Sequence, residues 1–304
     1  MLERLLTEQR NSASTEIDRL STLEMLRVIN DEDRLVAEAV SQVLPAVAQA
    51  VDAVANAIRS GGRLYYIGAG TSGRLGVLDA SECPPTYGCP PDMVQGIMAG
   101  GESALARASE ASEDDPDSGA RDLIAAGFRE GDVLCGIAAS GRTPYVLGAV
   151  DKARAMGCVT IGISCVPGSA LSEAVAIAIA PVTGPEVITG STRMKAGTAT
   201  KLVLNMLTTG AMIRLGYTFG NLMVNVQPKN AKLVDRAERI VMEAGEVERP
   251  RAAELLKEAG MSVRAAIVMA RLKVGRAEAE QRLRENGNVV ARVMEAHGRT
   301  GGRA

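Results

Sequence analysis

The sequence has no tryptophan, two phenylalanines and five tyrosines among 304 residues, so its core must be built from Ala, Val, Leu, Ile and Met. The scarcity of aromatic rings argues against a surface for single-stranded nucleic acid, because such surfaces stack bases on aromatic side chains. The net charge is -2, and acidic and basic residues are mixed without a basic face for a phosphate backbone. We therefore expect no nucleic-acid partner.

Histidine is nearly absent as well. The chain has a single histidine, His297, in a Gly- and Arg-rich C-terminal tail that we expect to be mobile. A Ser-His-Asp triad, a histidine-ligated metal or a histidine general base would each depend on this residue. Acid–base chemistry near neutral pH is therefore expected from carboxylates, Lys, Tyr or Cys.

The sequence also lacks the features of membrane and secreted proteins. It has no run of about 18 uncharged apolar residues, so no membrane partner is expected. The N-terminal segment is acidic in part and has no apolar stretch typical of a signal peptide. The five cysteines match no zinc-binding spacing and fit reduced thiols. These features predict a cytoplasmic protein.

Five short apolar runs alternate with helical patterns in the middle of the chain. The runs are Leu64–Ile67, Val94–Met98, Val133–Ile137, Val159–Ile163 and Val175–Ile179. The helices predicted between them are Arg74–Glu82, Glu102–Ala111, Pro116–Ala126 and Pro144–Met156. Nearly continuous apolar runs are typical of strands buried on both faces of a parallel sheet. The alternation predicts a three-layer, doubly wound α/β domain with a five-stranded parallel sheet.

Helices are expected on both sides of this α/β region. Apolar residues at helical spacing precede Ser60, and charged helical segments with an apolar stripe of their own follow about residue 221. We therefore divide the chain into an N-terminal arm with helices (residues 1–54), an α/β domain (55–220) and a C-terminal helical domain (221–304).

A loop rich in glycine and hydroxyl groups follows the first predicted strand. Residues 68–73 read Gly-Ala-Gly-Thr-Ser-Gly and open a helix, an arrangement that favours bound anions. The same glycine spacing occurs in dinucleotide folds, but those have an acidic residue at the end of the next strand. This chain has Gly100-Gly101 there, and Thr71 and Ser72 add hydroxyl donors. We therefore favour a sugar phosphate over a dinucleotide.

Two further loops share this character. One contains Ser140, Gly141 and Thr143 after the third strand, and loops at the carboxyl ends of strands converge on one crevice. The alternative is that these hydroxyls only cap helices; two such loops favour a phosphate site. A third, polar loop (residues 183–198) holds Ser191 and Thr192 before an apolar helix, and its Arg193 and Lys195 fit solvated charges.

These loops resemble the sugar isomerase (SIS) domain of phosphosugar-binding proteins, which would correspond to residues 55–220. A closer resemblance, over nearly the whole chain, is to the N-acetylmuramic acid 6-phosphate etherase family, with the glucokinase regulatory protein as a more distant relative. The residues that carry it are Thr7–Asn11, Gly68–Thr86, Ala99–Glu102 and Gly190–Lys201.

The resemblance implies a homodimer without metal, nucleotide or other cofactor. Its reaction would convert N-acetylmuramic acid 6-phosphate and water to N-acetylglucosamine 6-phosphate and D-lactate, in cell-wall amino-sugar recycling. It implies two catalytic glutamates, Glu82 in Ser-Glu-Cys-Pro-Pro and Glu113 in Ala-Ser-Glu-Asp, where the family often has Gly-Ala-Glu-Asp. The expected substrate-binding residues are Thr71, Ser72, Gly73, Ser140, Gly141, Thr143, Ser191 and Thr192.

The implied chemistry needs two proton-transfer groups. Opening of the sugar ring exposes an aldehyde at C1, which makes the C2 proton acidic and puts the lactyl ether at C3 in the β position. Two carboxylates in different environments can divide proton transfer at C2 from proton transfer at the C3 oxygen or the incoming water. We expect Glu82 on the C2 or leaving-group side and Glu113 on the water side, and the reverse assignment stays open.

Two alternatives use the same fold. A phosphosugar aldose–ketose isomerase would abstract the same C2 proton. A regulatory protein that senses a sugar phosphate would usually add a DNA-binding helix-turn-helix or further domains, whereas here the N-terminal arm is short and not basic.

Overall fold

The computed structural model of the chain describes residues 6–107, 112–228 and 230–301. The described residues form two compact units. The first comprises the described residues up to Glu82 together with Pro91–Gly210, and the second comprises Cys83–Pro90 together with the described residues from Ala211 onward.

The first unit contains a five-stranded parallel sheet, which confirms the predicted fold class. Its strands are β1 (Leu64–Gly68), β2 (Val94–Met98), β3 (Val133–Ile137), β4 (Val159–Ile163) and β5 (Ile177–Ile179). The strand order is β2-β1-β3-β4-β5, and all five residues of both β1 and β3 are buried, as their continuous apolar sequences require. The strand β5 begins two residues later than predicted, because Val175 ends the preceding helix.

Helices cover both faces of this sheet, and those that begin in the first unit are α1 (Thr22–Ser41), α2 (Leu44–Arg59), α3 (Gly70–Tyr87), α4 (Ser103–Ala106), α5 (Pro116–Ala125), α6 (Pro144–Ala155), α7 (Ala170–Ala174) and α8 (Lys195–Arg214). Local sequence explains several of their starts. Ser21 and Glu24 form a reciprocal capping box before α1, and prolines occupy the first position of α5 and α6.

Two helices differ from the sequence-based expectation. The helix predicted at 102–111 is described only as the short α4, and residues 108–111 lie outside the described part of the chain. The helix α3 was expected to end at Glu82, ahead of Pro84 and Pro85, but it continues to Tyr87. Proline has a backbone φ compatible with a helix, and the amide of Gly88 donates to Pro84 O at 2.8 Å to close the last turn.

The second unit is mainly helical, as predicted for the C-terminal region. Its helices are α9 (Ala231–Gly245), α10 (Arg249–Glu258), α11 (Val263–Leu272), α12 (Arg276–Glu285) and α13 (Val290–Gly301). Their core includes Val241, Leu255, Leu256, Ile267 and Val290.

The second unit also contains a two-residue antiparallel pair, β6 (Thr218–Phe219) with β7 (Leu222–Met223). The expectation of a mobile C-terminal tail was wrong. His297 lies in α13 instead of a mobile tail, because apolar residues such as Val290 and Val293 anchor that helix in the core. Within the described ranges, no helix has the length and hydropathy needed to cross a bilayer.

Candidate functional site

Three loops lie at the carboxyl edge of the sheet, where the parallel strands end. The first follows β1 (residues 69–73), the second follows β3 (138–143) and the third follows β5 (180–194). Gly68 is paired with Ile137, so the first two loops begin side by side. The chain changes direction across the sheet between β1 and β3, and the crevice at such a switch point is where doubly wound sheets bind ligands.

The first loop leaves an open helix amino terminus at this crevice. Gly70 has a φ of +54°, which favours glycine, and the amide of Gly73 donates to Ala69 O at 3.1 Å. A Cβ on Gly73 would lie 2.5 Å from Gly68 O, so only glycine allows this close turn. The preceding amides of the first turn of α3 have no carbonyl partner within the helix and can face an anion.

The second loop is held by its own backbone. Gly141 has a φ of +66°, its amide donates to Ala138 O at 2.8 Å, and a Cβ there would lie 2.1 Å from Ser169 Oγ. Thr143 occupies the N-cap position of α6, but its side chain makes no capping hydrogen bond. Helix capping therefore does not account for the Thr143 hydroxyl.

The third loop meets the first at the start of α8. A Cβ on Gly197 would lie 3.6 Å from the Thr71 methyl and 3.5 Å from Thr192 O, so these two threonines are close to one another. Cys165 links the second loop to the start of α8. Its amide donates to Ala139 O, in the second loop, at 2.9 Å, and its Sγ lies 3.9 Å from Ala196 O, in α8.

The six hydroxyl groups expected to bind substrate are half-buried and are not used in hydrogen bonds within the described part of the protein. They belong to Thr71, Ser72, Ser140, Thr143, Ser191 and Thr192. In the described part of the chain, none of them forms a hydrogen bond to another protein group. Hydroxyls elsewhere in the same unit are engaged: Ser14 Oγ donates to Val187 O at 2.7 Å and Thr200 Oγ1 to Ala196 O at 2.8 Å. Because the fold does not use these six hydroxyls, they are available to a polar ligand that enters the crevice.

Glu113 lies between the first and second loops. Its backbone carbonyl accepts the amide of Tyr145, in the first turn of α6, at 3.0 Å. Its carboxylate Oε1 lies 3.3 Å from the position of a Cβ on Gly70. The segment that leads from β2 to β3 thus brings a half-buried carboxylate to the amino terminus of α3.

Glu82 is not brought to the same place within one chain. It is exposed on α3, twelve residues after Gly70. At about 1.5 Å per residue, it lies roughly 18 Å along the helix axis from the first loop. Glu82 and Glu113 of one chain are therefore separated by most of the length of α3.

The third loop is fastened by charged groups that the sequence did not identify. Both carboxylate oxygens of Glu186, which is 1 % exposed, accept amides at the start of α8, from Lys195 at 3.0 Å and Ala196 at 2.9 Å. The interpretation of Lys195 as a solvated charge was wrong: its side chain is 2 % exposed, and Nζ lies 2.5 Å from Glu32 Oε2. Lys195 is buried because Glu32, from α1, supplies the opposite charge.

A second buried acid connects α3 to α8. Asp79 accepts hydrogen bonds from Asn205 Nδ2 at 2.7 Å, Tyr66 Oη at 3.0 Å and Thr208 Oγ1 at 3.3 Å. Burial raises the pKa of Asp79, and these hydrogen bonds oppose that rise. The contacts fix α3 against β1 and α8 and so hold the helix whose first turn carries Thr71 and Ser72.

No metal site accompanies these groups in the portion of the chain that the structure covers: no three His, Cys, Asp or Glu side chains are placed to share an ion there.

Comparison with known proteins adds a family relationship to this geometry. The sequence is 57% identical over 290 residues to the N-acetylmuramic acid 6-phosphate etherase of Aeromonas hydrophila, covering 95% of this chain and 97% of that protein. It is 57% identical over 267 residues to the N-acetylmuramic acid 6-phosphate etherase of Symbiobacterium thermophilum, covering 88% of this chain and 89% of that protein.

A family model and a solved structure match smaller shares of the chain. A family model of the glucokinase regulatory protein N-terminal SIS domain matches residues 46–154. Among solved structures, a putative phosphosugar isomerase involved in capsule formation from Bacteroides fragilis is 21% identical with a TM-score of 0.49, covering 64% of this chain and 93% of that chain.

Proposed function

Because the chain belongs to the N-acetylmuramic acid 6-phosphate etherase family, we propose that its carboxyl-edge loops bind the sugar phosphate and that Glu82 and Glu113 transfer the protons. The chain is an enzyme that cleaves the D-lactyl ether of N-acetylmuramic acid 6-phosphate, giving N-acetylglucosamine 6-phosphate and D-lactate. One observation supports the assignment of the site: six half-buried hydroxyls with no protein partner in the described chain belong to three loops at the carboxyl edge of the sheet, and two of these loops flank its switch point.

The phosphate is assigned to the crevice between the first two loops. Ser72, Ser140 and Thr143 donate hydroxyl hydrogen bonds to it, and the open first turn of α3 adds backbone amides and the positive end of the helix dipole. Gly73 and Gly141 contribute by letting the two loops turn tightly enough for the hydroxyls to converge. The amino terminus of α8 is not assigned to phosphate, because Glu186 already occupies it.

The sugar is assigned to the neighbouring space lined by Thr71, Ser191 and Thr192. Thr71 and Thr192 are close together at the start of α8, and Glu113 lies on the other side of Gly70. A ring-opened sugar held by its 6-phosphate would extend from the crevice past these groups. Its C2 and C3 atoms would then come within reach of a carboxylate.

The reaction proceeds by elimination followed by addition of water. A carboxylate removes the C2 proton of the aldehyde form, the C3–O bond breaks, and lactate leaves with a proton supplied by a carboxylic acid. Water then adds to C3 of the unsaturated aldehyde while C2 is protonated again. Glu113 and Glu82 divide these transfers in an order that the geometry leaves open, and each transfer contributes about 10²–10⁴-fold to the rate.

A homodimer supplies both glutamates to one site in this proposal. Within one chain, Glu82 lies about 18 Å along α3 from the loop beside Glu113, too far for both to act on C2 and C3. Leu78, one turn before Glu82 on α3, is 52 % exposed, and the proposed second copy would cover it. We also propose a cytoplasmic location, because the five cysteines are free thiols.

Isotope incorporation tests the function. The purified chain is incubated with N-acetylmuramic acid 6-phosphate in water enriched in deuterium and oxygen-18. Elimination and hydration would place deuterium at C2 and solvent oxygen at C3 of the sugar, with no solvent oxygen in lactate. Absence of lactate release, or solvent oxygen in lactate without deuterium at C2, would contradict the proposal. Fructose 6-phosphate serves as a parallel substrate, because aldose formation from it would indicate an isomerase.

Subunit mixing tests the shared site. Glu82→Gln and Glu113→Gln chains are purified separately, mixed under conditions of subunit exchange and assayed for lactate. Random mixing would restore about a quarter of wild-type activity, because half of the dimers are mixed and each has one site with both glutamates. No recovery after verified exchange would show that the two residues do not act in a site shared between chains.

A further inference from the structure

The least expected group near the carboxyl edge is the ammonium of Lys195. Its side chain is 2 % exposed, and a buried cation is costly unless it is paired and hydrogen-bonded. The partner is Glu32, 163 residues away in sequence and 15 % exposed. Because Glu32 belongs to α1 and Lys195 is the first residue of α8, the buried ion pair holds these two helices together.

A third side chain completes the arrangement. Asn11 Nδ2 donates to Glu32 Oε2 at 2.7 Å and to Pro185 O, in the third loop, at 3.1 Å. Burial would raise the pKa of Glu32, but the hydrogen bonds from Lys195 and Asn11 and the charge of Lys195 lower it overall. Glu32 is therefore held as a carboxylate by two donors. We refer to Asn11, Glu32 and Lys195 together as the loop clamp.

The N-terminal segment follows the third loop beyond the loop clamp. Ser14 Oγ donates to Val187 O at 2.7 Å, and Glu8 Oε2 lies 3.3 Å from the position of a Cβ on Gly190. The side chains of Glu8, Asn11 and Ser14 thus contact the third loop between Pro185 and Gly190, and Gly190 directly precedes Ser191.

We propose that the loop clamp positions the third loop for substrate: its buried charges and amide fix Pro185 and Lys195, and thereby set Ser191 and Thr192 against Thr71. The residues of the clamp do not touch the reacting atoms; they act through the loop hydroxyls. The third loop needs such fixing because it joins a strand to a helix without strand pairing of its own. This inference rests on the proposed function, since it assigns Ser191 and Thr192 to the sugar.

A second ion pair in the same unit provides a matched control. Arg63 Nη2 lies 2.8 Å from Asp132 Oδ2, with side chains 18 % and 0 % exposed. Arg63 precedes β1 and Asp132 precedes β3, so this pair lies at the amino edge of the sheet, opposite the loops. Removing either cation damages a buried pair, but only Lys195 touches the third loop.

The experiment compares Lys195→Met with Arg63→Met in the full chain. Melting temperature, kcat and KM for lactate release, and calorimetric binding of N-acetylglucosamine 6-phosphate are measured for both. We expect both variants to melt at lower temperature. Lys195→Met should also lose about 100-fold in kcat/KM and bind the product more weakly, because small displacements of positioning groups are costly. Arg63→Met should keep wild-type binding and kcat/KM.

Wild-type product affinity in folded Lys195→Met would overturn the proposal. So would an equal loss of affinity in Arg63→Met at a matched loss of melting temperature. If Lys195→Met does not fold, Asn11→Ala takes its place, since it keeps the ion pair but removes the hydrogen bonds to Glu32 and to Pro185 O. Asn11→Ala should weaken product binding, and unchanged binding would overturn the proposal. A wild-type chain that binds the product but releases no lactate would contradict the proposed function and leave the loop clamp comparison valid.

Discussion

The two ends of the parallel sheet carry similar residues, but their polar groups differ in hydrogen bonding. At the amino edge they bond to one another, whereas the loop hydroxyls at the carboxyl edge have no protein partner in the described chain. At the amino edge, glycine turns, an acid and two arginines lie before β1 and β3. Asp132 accepts four hydrogen bonds there, from the amide and guanidinium of Arg63 and the amide of Arg129. The guanidinium of Arg63 also donates to Gly127 O at 2.6 Å. The polar groups at this end satisfy one another.

At the carboxyl edge, glycine turns again follow β1 and β3, but the polar groups around them are open. The six hydroxyls of the three loops have no partner within the described residues, and the first turn of α3 points at the crevice. Polar groups that saturate each other contribute to stability, whereas polar groups left open in a crevice are suited to a ligand. Substitutions at the two edges should therefore separate stability from activity.

The largest effect is expected for Glu113→Gln at the carboxyl edge. Loss of the carboxylate should lower kcat for lactate release by about 10²–10⁴-fold, the contribution of a general acid or base. The melting temperature should stay close to that of wild type, because the backbone contact from Tyr145 is retained. Asp114→Asn, an exposed neighbour, is the control and should keep full activity. Near-wild-type turnover in Glu113→Gln would remove Glu113 from the mechanism.

The converse change is Asp132→Ala at the amino edge. It leaves the mostly buried guanidinium of Arg63 without its carboxylate, so urea unfolding should show a loss of about 3–5 kcal/mol. Activity per folded molecule should be unchanged. A loss of activity as large as that of Glu113→Gln, at temperatures where the variant is folded, would break the distinction between the two edges.

Two glycines with positive φ make a finer comparison across β3. Gly131 precedes the strand with φ +89°, and a Cβ added there would have no other atom within 4 Å, whereas a Cβ on Gly141, after the strand, would collide with Ser169. Gly131→Ala should cost only the backbone strain of about 1–2 kcal/mol and leave KM unchanged. Gly141→Ala should displace the second loop and lower kcat/KM by about 100-fold. Equal kinetic effects in steady-state assays would contradict the assignment of the second loop.

The smallest effect is a pH dependence at the loop clamp. The pKa of Glu32 is lowered in the folded chain, so its stabilisation is complete above the ordinary pKa and is lost as the pH falls through the lowered one. The gap in unfolding free energy between wild type and Glu32→Gln should therefore be widest near neutral pH and narrow on acidification. A gap that widens toward low pH in denaturant titrations would show the opposite shift.

Much of the fold follows from local sequence. The strands β1, β2, β3 and β4 were predicted because each is a nearly continuous apolar run, and the loops after β1 and β3 because glycine and hydroxyl residues follow directly. The continuation of α3 through Pro84 and Pro85 was missed, since proline ordinarily marks a helix boundary.

The candidate site was only partly predictable. Hydroxyls in the loops could be read from the sequence, but Glu82 and Glu113 came from the family resemblance, because an isolated glutamate on a helix or in a loop has no local signature. The loop clamp was invisible for a different reason: Asn11, Glu32 and Lys195 are brought together by tertiary structure, and no periodic pattern connects them. The one sequence feature that pointed to the loop clamp was Lys195, a charged residue at the start of an otherwise mostly apolar helix.

The most direct measurement is a crystal structure of the chain with N-acetylglucosamine 6-phosphate. The phosphate should lie within hydrogen-bonding distance of Ser72 and Ser140, with C2 and C3 of the sugar beside the Glu113 carboxylate. A phosphate bound away from the crevice between β1 and β3, or a sugar whose C2 and C3 face away from Glu113, would contradict the assignment of the carboxyl edge as the catalytic site.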